Sequence, residues 1–294
     1  MSVLSWNCRG LGNPEAVREL RNIVKLEDPS LLFVMETKIK AKRVEDLKFT
    51  LGFAGSFAVD SVGLSGGIGL FWSRDVTVDL KNFSKNHIDV LVHSNNQNAY
   101  VWRFTGFYGA PRATDRHSSW RFLRTLYNIP HSAWLCVGDF NKTLFACEHF
   151  SRAARSESHM RAFREVVDEI SFQDLGWSGT AYTWDNHQSG DANVKARLDR
   201  AFANEEFRQL FHHIRVRHLP SVESDHCFVL AEIKEVLSDR PRAKKQFRYE
   251  NVWQTHTDYD RLVEHTWRGK TRTPGLQGIA SALGTLQTTL PPWS

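Results

Sequence analysis

The sequence predicts an α/β protein of two packed β-sheets with helices outside them. Three observations carry this expectation: a strand–helix–strand pattern at the start, antiparallel runs in the middle, and mixed elements later. The first strand-like run is Val3–Asn7. A helix over Glu15–Glu27 follows, announced by "GNPEAVREL", with Asn13 set to cap it and Pro14 at its first position. "LLFVM" then opens a strand over Leu31–Glu36. Phe57–Val59 and Gly67–Trp72 read as strands joined by "GLSGGIG". Those glycines suit a hairpin turn, because they lack the strand-then-helix setting and the Lys of a phosphate cradle. Val76–Phe83, Ile88–His93 and Tyr100–Tyr108, separated by "SKN" and "SNNQN", read as antiparallel hairpins.

Helices are expected at Ser118–Asn128 and Ser158–Ile170; in the second, Met160, Phe163, Val166, Val167 and Ile170 share one face. Between them Trp134–Asp139 is a short apolar run, the pattern of a strand buried on both faces, and Gly138 marks its end. Tyr182–Trp184, Ala196–Ala203, Ile214–His218 and Cys227–Ile233 complete the strand-like runs. After Glu235 the chain changes character. "SDRPRAKKQFRYENVW" is basic and reads as a linker, and Leu276, Ile279, Leu283, Leu286 and Leu290 form a weak helical pattern interrupted by glycines. The expected organisation is a catalytic domain over residues 1–236, then a basic linker and partial helical connector over 237–294.

The 294 residues are 41% hydrophobic and 24% charged, enough for a sizeable core. A net charge of +5 and a pI near 9.0 are compatible with a polyanionic partner. Cys8, Cys136, Cys147 and Cys227 show no C-x-x-C spacing, which argues for reduced thiols of an intracellular protein rather than a disulfide framework or zinc site. "MSVLSWNCRG" has no secretory pattern, and no apolar run approaches the about 18 residues of a membrane span. A soluble protein is expected, with no membrane partner.

Polar residues recur at the ends of apolar runs: Asn7, Glu36, Tyr108, Asp139 and Asn141, Thr183, Asp199, and Asp225 with His226. A rigid sheet aims groups at such positions while loops admit a ligand. Asp139 and Asn141 lie two apart, so on a strand they emerge on one side to hold a metal or phosphate. That segment alone is equally the pattern of an Asx-turn, the reading it favours when taken by itself. Glu36, Asn7 and Asp225 offer hard oxygen ligands that suit Mg²⁺ or Mn²⁺. His226 can act as base or donor, with Asp199 to orient it unless Arg197 and Arg200 claim that carboxylate. Tyr108 and Asn141 offer neutral donors to phosphate oxygens.

"SWNCRGLG", "METK", "TGFYG", "VGDFN", "RLDR" and "SDH", in this order, resemble the endonuclease/exonuclease/phosphatase family. More narrowly they resemble the apurinic-type endonuclease domain of plant non-LTR (LINE-type) retrotransposons. The match spans about residues 1 to 235, and six short motifs in register make it specific. The resemblance implies a four-layer α/β sandwich of two mixed sheets with the metal site at one edge. It implies that Asn7, Glu36 and Asp225 serve the metal, with Tyr108 on the phosphate. Asp139 and Asn141 then position the water, and Asp199 supports His226. Ser224 and, more loosely, Thr183 fall where the family meets substrate, and Arg9 in "RGLGNP" is expected at the DNA. Whether His226 or Asp139 takes the water's proton stays open. "FRYENVWQTHTDYDRLVEHTW" resembles the connector before the reverse transcriptase, yet no Tyr-x-Asp-Asp polymerase run is present. A truncated reading frame, a fragment or a host gene derived from an element fits that departure.

The expected function is a Mg²⁺-dependent, DNA-nicking phosphodiesterase, nuclear if derived from a retrotransposon. The alternatives are a phosphodiesterase or phosphatase of the same superfamily acting on a lipid or inositol phosphate, and an inactive nucleic-acid-binding relic.

Overall fold

The computed structural model describes residues 1–63, 65–94, 100–129, 133–152, 156–234 and 259–270. The chain divides into two compact units, Met1–Val236 and Leu237–Ser294. In the second unit a single helix, Tyr259–Lys270, is described; the basic linker and the Leu276–Leu290 pattern lie outside the described residues.

The first unit is built on two large mixed sheets. One has seven strands in the order β11 (Ser178–Gly179), β15 (His213–Leu219), β16 (Phe228–Lys234), β1 (Ser2–Asn7), β2 (Leu31–Met35), β4 (Ser65–Trp72), β3 (Gly55–Val62). The other has six: β10 (Gln173–Asp174), β14 (Asp199–Ala203), β8 (Trp134–Asp139), β7 (Val101–Tyr108), β6 (His87–Ser94), β5 (Val76–Ser84). The three runs from β5 to β7 pair antiparallel as expected, and β3 and β4 form the glycine-rich hairpin. A small third sheet joins β12 (Trp184–Asp185), β13 (Lys195–Ala196) and β9 (His149–Phe150).

Strand alternation sorts the core into three apolar layers. Val3, Phe33, Met35, Leu70, Val90, Phe104, Leu135, Val137 and Ala201 fill the space between the sheets. Their neighbours Leu4, Trp6, Leu32, Val34 and Phe71 face outward and are covered by α1 (Pro14–Glu27) and α2 (Ala41–Leu51). On the far side Trp134, Cys136 and Phe202 are covered by α3 (Arg116–Tyr127) and α4 (Glu157–Glu169). The result is a helix–sheet–sheet–helix sandwich, the fold class expected.

Three details depart from expectation. α2 has no sequence announcement, because Lys40 at its N-terminal boundary makes no capping bond with its side chain. α5 (Glu205–Leu210), capped by the Asn204 side chain, is too short to leave a periodic pattern. The run Ala196–Ala203 is not one strand; it breaks at Arg197–Leu198, sending β13 to the small sheet and β14 to the six-stranded one. The break has an electrostatic cause. Buried Arg197 and Arg200 both bind the same acids, Glu148 (Arg197 Nη1–Oε1 3.1 Å) and Asp174 (2.7 Å from each guanidinium). Residues three apart on a regular strand point to opposite faces, so an unbroken strand cannot present both guanidinia to one pair of carboxylates.

Candidate active site

The alternation that buries Val3, Val137 and Ala201 between the sheets carries Asn7, Asp139 and Asp199 to the same face at the rim. Asp199 stands opposite Asp139 in the antiparallel β14–β8 register, and Tyr108 stands beside Asp139 in the parallel β7–β8 register. Gly138 makes this possible. It has a φ of +153°, and a Cβ there would lie 1.9 Å from the Phe107 carbonyl oxygen, so β8 can approach β7 only with glycine before the acid.

Asn7 is the hub. Its Nδ2 donates to Glu36 Oε1 at 3.3 Å and to Asp139 Oδ2 at 3.0 Å, and lies 3.5 Å from His226 Nε2. The Tyr108 hydroxyl donates to Glu36 Oε1 at 2.9 Å. His226 Nδ1 lies 2.9 Å from Asp199 Oδ2, and its Nε2 is 3.9 Å from Asp139 Oδ2. Asp139 Oδ1 accepts the Asn141 backbone N–H at 2.7 Å, so the Asx-turn and the site are the same structure. Both amide hydrogens of Asn141 are engaged, on Gly109 O at 3.0 Å and Asp139 Oδ2 at 3.1 Å. Asn141 therefore holds the Asp139 carboxylate rather than offering a spare donor.

The outer edge is ionic. Arg9 Nε lies 3.7 Å from Glu36 Oε2 and 3.5 Å from Asp225 Oδ1, and Lys38 Nζ lies 3.3 Å from Glu36 Oε2. Trp184 Nε1 donates to the other Asp225 oxygen at 2.9 Å. Lys38 and Trp184 were not singled out in the sequence, although Lys38 sits inside "METK" and Trp184 ends the strand-like run Tyr182–Trp184. Arg9, Glu36, Lys38 and Asn141 all have φ between 52° and 55°, the left-handed region that costs a non-glycine residue about 1 kcal/mol or more. Four such residues around one cluster are a mark of a functional site.

Electrostatics separates the groups. Burial pushes Glu36 up, but Arg9, the Tyr108 hydroxyl and Asn7 outweigh it and hold the carboxyl below its usual value. Burial, then the neighbouring Asp199 charge, raises Asp139 to about 7. His226 loses hydration on burial, yet Asp199 and Asp139 on either side raise it to about 9, so it is an imidazolium at neutral pH. Asp199 is free for this because Arg197 and Arg200 are spent on Glu148 and Asp174.

Two residues expected at the substrate line the cleft beside His226 while their hydroxyls serve the backbone. Thr183 is fully buried beneath the site, where its hydroxyl accepts the backbone N–H groups of Leu198 (2.9 Å) and Asp199 (3.0 Å). Ser224, also buried, donates to Asn7 O at 2.7 Å and accepts the His226 N–H at 3.1 Å. Both fasten the backbone that presents Asp199, Asn7 and His226. Thr183→Val leaves two buried N–H groups without an acceptor and is expected to lower unfolding free energy by about 1–3 kcal/mol in urea titrations.

Asp139, Asp199 and His226 bring ligand atoms within 4.8 Å of one another, a group able to hold a metal ion. Glu36, Asn7 and Asp225 carry oxygen donors of the kind that suit a hard cation, and Arg9 lies between the two carboxylates. Asp225 Oδ1 is buried with no hydrogen-bond partner, the orphaned lone pair expected of a ligand. Two clefts flank the cluster: one of about 360 Å³ lined by Tyr182, Trp184, Lys195 and His226, and one of about 510 Å³ lined by Lys85, Asn86, Tyr108 and Arg112.

Side chains so arranged can take a proton from water and steady a phosphate ester while it is attacked, which is the chemistry of a phosphodiester hydrolase. The chain belongs to the Endonuclease/Exonuclease/phosphatase family, whose sequence model matches residues 4–226. No curated protein matches it in sequence. Among solved structures it is similar to the endonuclease domain of TRAS1, a telomere-specific non-LTR retrotransposon (17% identity, TM-score 0.57, 79% of this chain and 98% of that one). It is similar also to the 3′ phosphatase NExo from Neisseria bound to a product DNA hairpin (15%, 0.60, 80% and 99%) and to the APE2 catalytic domain of Xenopus laevis (18%, 0.57, 80% and 92%). At these identities the likeness establishes the fold. Among the described residues no helix is long and apolar enough to cross a membrane.

Proposed function

We propose that the chain is a metal-dependent DNA endonuclease of the retrotransposon type, which hydrolyses a phosphodiester to leave a 3′-hydroxyl. The observation that carries this reading is the convergence of Asn7, Glu36, Tyr108, Asp139, Asp199 and His226, drawn from across the chain, into one bonded cluster. DNA is favoured because the similar structures include a retrotransposon endonuclease domain and an enzyme bound to a DNA hairpin. Lys85 and Arg112 in one flanking cleft offer positive charge to a strand crossing the site, beside the acids Asp60 and Asp115.

Glu36, Asp225 and Asn7 are the residues to hold Mg²⁺, and Mn²⁺ suits the same donors. When bound, the ion neutralises charge on the scissile phosphate and on the leaving oxygen. Asp139 takes a proton from the attacking water, since His226 is already cationic between two carboxylates. The water oxygen bonds to phosphorus as the bond to the 3′ oxygen breaks, and that oxygen leaves with a proton from solvent. His226, held by Asp199, and the Tyr108 hydroxyl stabilise the charge gathering on the phosphoryl oxygens.

Incubation with supercoiled plasmid tests this. Conversion to open circles in Mg²⁺, abolished by EDTA and restored by excess Mg²⁺, is the expected result. Binding of plasmid without nicking under any divalent ion overturns it in favour of a binding relic. Preferential hydrolysis of an inositol or lipid phosphate overturns the DNA assignment.

A further inference from the structure

The place between Glu36 and Asp225 already holds a cation, and it belongs to the protein. Arg9 Nε lies 3.7 Å from one carboxylate and 3.5 Å from the other. These contacts are long. They balance charge without completing hydrogen bonds, and Asp225 Oδ1 is left with no donor. The Arg9 side chain is 46% exposed, so it can leave without breaking buried packing. Lys38 adds a second positive charge on Glu36 at 3.3 Å. Those two carboxylates are thus matched by two basic groups, with Asp139 and Asp199 already facing His226, so a divalent ion entering there adds positive charge that an incoming anion offsets.

We propose that Arg9 is a displaceable counter-ion, seated between Glu36 and Asp225 in the free protein, which turns to a substrate phosphate when a divalent cation takes its place. Metal and phosphodiester then bind cooperatively, because each relieves the charge imbalance created by the other, and the coupling is reciprocal. The free protein binds metal weakly and the DNA complex binds it tightly. This inference rests on the metal-site reading of Glu36, Asn7 and Asp225, and deepens it by assigning Arg9 a positioning and substrate-binding role.

The test is equilibrium Mg²⁺ binding by calorimetry to the full chain, alone and saturated with a short phosphorothioate DNA duplex. Arg9→Gln is expected to bind Mg²⁺ about tenfold more tightly than wild type in the absence of DNA. The duplex is expected to tighten Mg²⁺ binding about tenfold in wild type and far less in Arg9→Gln. Arg9→Lys, which keeps the charge, is expected to remain close to wild type. Equal or weaker Mg²⁺ binding by Arg9→Gln, with circular dichroism showing it folded, overturns the proposal; so does an Arg9→Lys protein that binds as tightly as Arg9→Gln. If Arg9→Gln does not fold, the comparison of wild type with and without duplex decides: unchanged Mg²⁺ affinity overturns it. Failure here with plasmid nicking intact rejects the counter-ion role alone, whereas failure of wild type to nick rejects the enzymatic reading itself.

Discussion

Asp139→Asn is expected to lower Mg²⁺-dependent plasmid nicking by about 10³-fold while leaving the thermal midpoint within a few degrees of wild type. The substitution preserves volume and keeps one oxygen for the Asn141 N–H, while its NH2 replaces the oxygen that accepts from Asn7 and the Asn141 side chain, and an amide cannot take a proton from water. His226→Ala is expected to cost at least about 10²-fold for a different reason: it removes the cation between Asp139 and Asp199 and leaves two buried carboxylates facing one another. The two effects should not add, because the residues act as one unit. Initial nicking rates of the single and double variants, with melting curves beside them, check all three statements. A double variant slower by the product of the two effects contradicts the shared role.

Glu148→Ala is expected to destabilise the protein by about 3–5 kcal/mol, measured as a shift in the urea midpoint. Its carboxylate is buried, binds both Arg197 and Arg200, and accepts the backbone N–H groups of Leu144 (2.7 Å) and Phe145 (3.1 Å). Truncation leaves two buried guanidinia to Asp174 alone. The same quartet predicts a pH dependence. Burial raises Glu148 and Asp174, but Arg200 and Arg197 outweigh it, so both carboxyls sit below their ordinary values in the folded protein. A group with a depressed folded pKa contributes its stabilisation above the unfolded value of about 4 and loses it as pH falls through the folded value. Acid unfolding should therefore steepen below about pH 4, and Glu148→Gln should flatten that limb.

Much of this was legible from residue order because strand alternation is a rigid rule. Once Val3, Val137 and Ala201 face the other sheet, Asn7, Asp139 and Asp199 must follow them. The helix at Pro14–Glu27 was legible for an equally local reason, since Asn13 caps it by accepting the Glu15 N–H. What resisted reading depends on partners distant in sequence. Arg197 and Arg200 beside Asp199 suggest an ion pair with it, and only the remote acids Glu148 and Asp174 explain why that carboxylate stays available to His226. Thr183 and Ser224 stand at strand ends like true site residues, but a hydroxyl at such an end serves substrate or backbone according to the loop folded over it. Lys38 lay within a recognised motif and gains its meaning only from Arg9 on the other side of Glu36.

β1 lies between β2, which it pairs parallel, and β16, which it pairs antiparallel. β1 must therefore wait for β16 at the far end of the first unit, and Asn7 meets His226, 219 positions further along, only once that segment has been made. A nascent chain halted before Phe228–Lys234 has β1 exposed along one side and no His226 locked beside Asn7. Such late closure makes folding slow, as contacts of wide sequence separation require. It also delays completion of the site: until β16 docks beside β1, His226 is not fixed between Asp139 and Asp199.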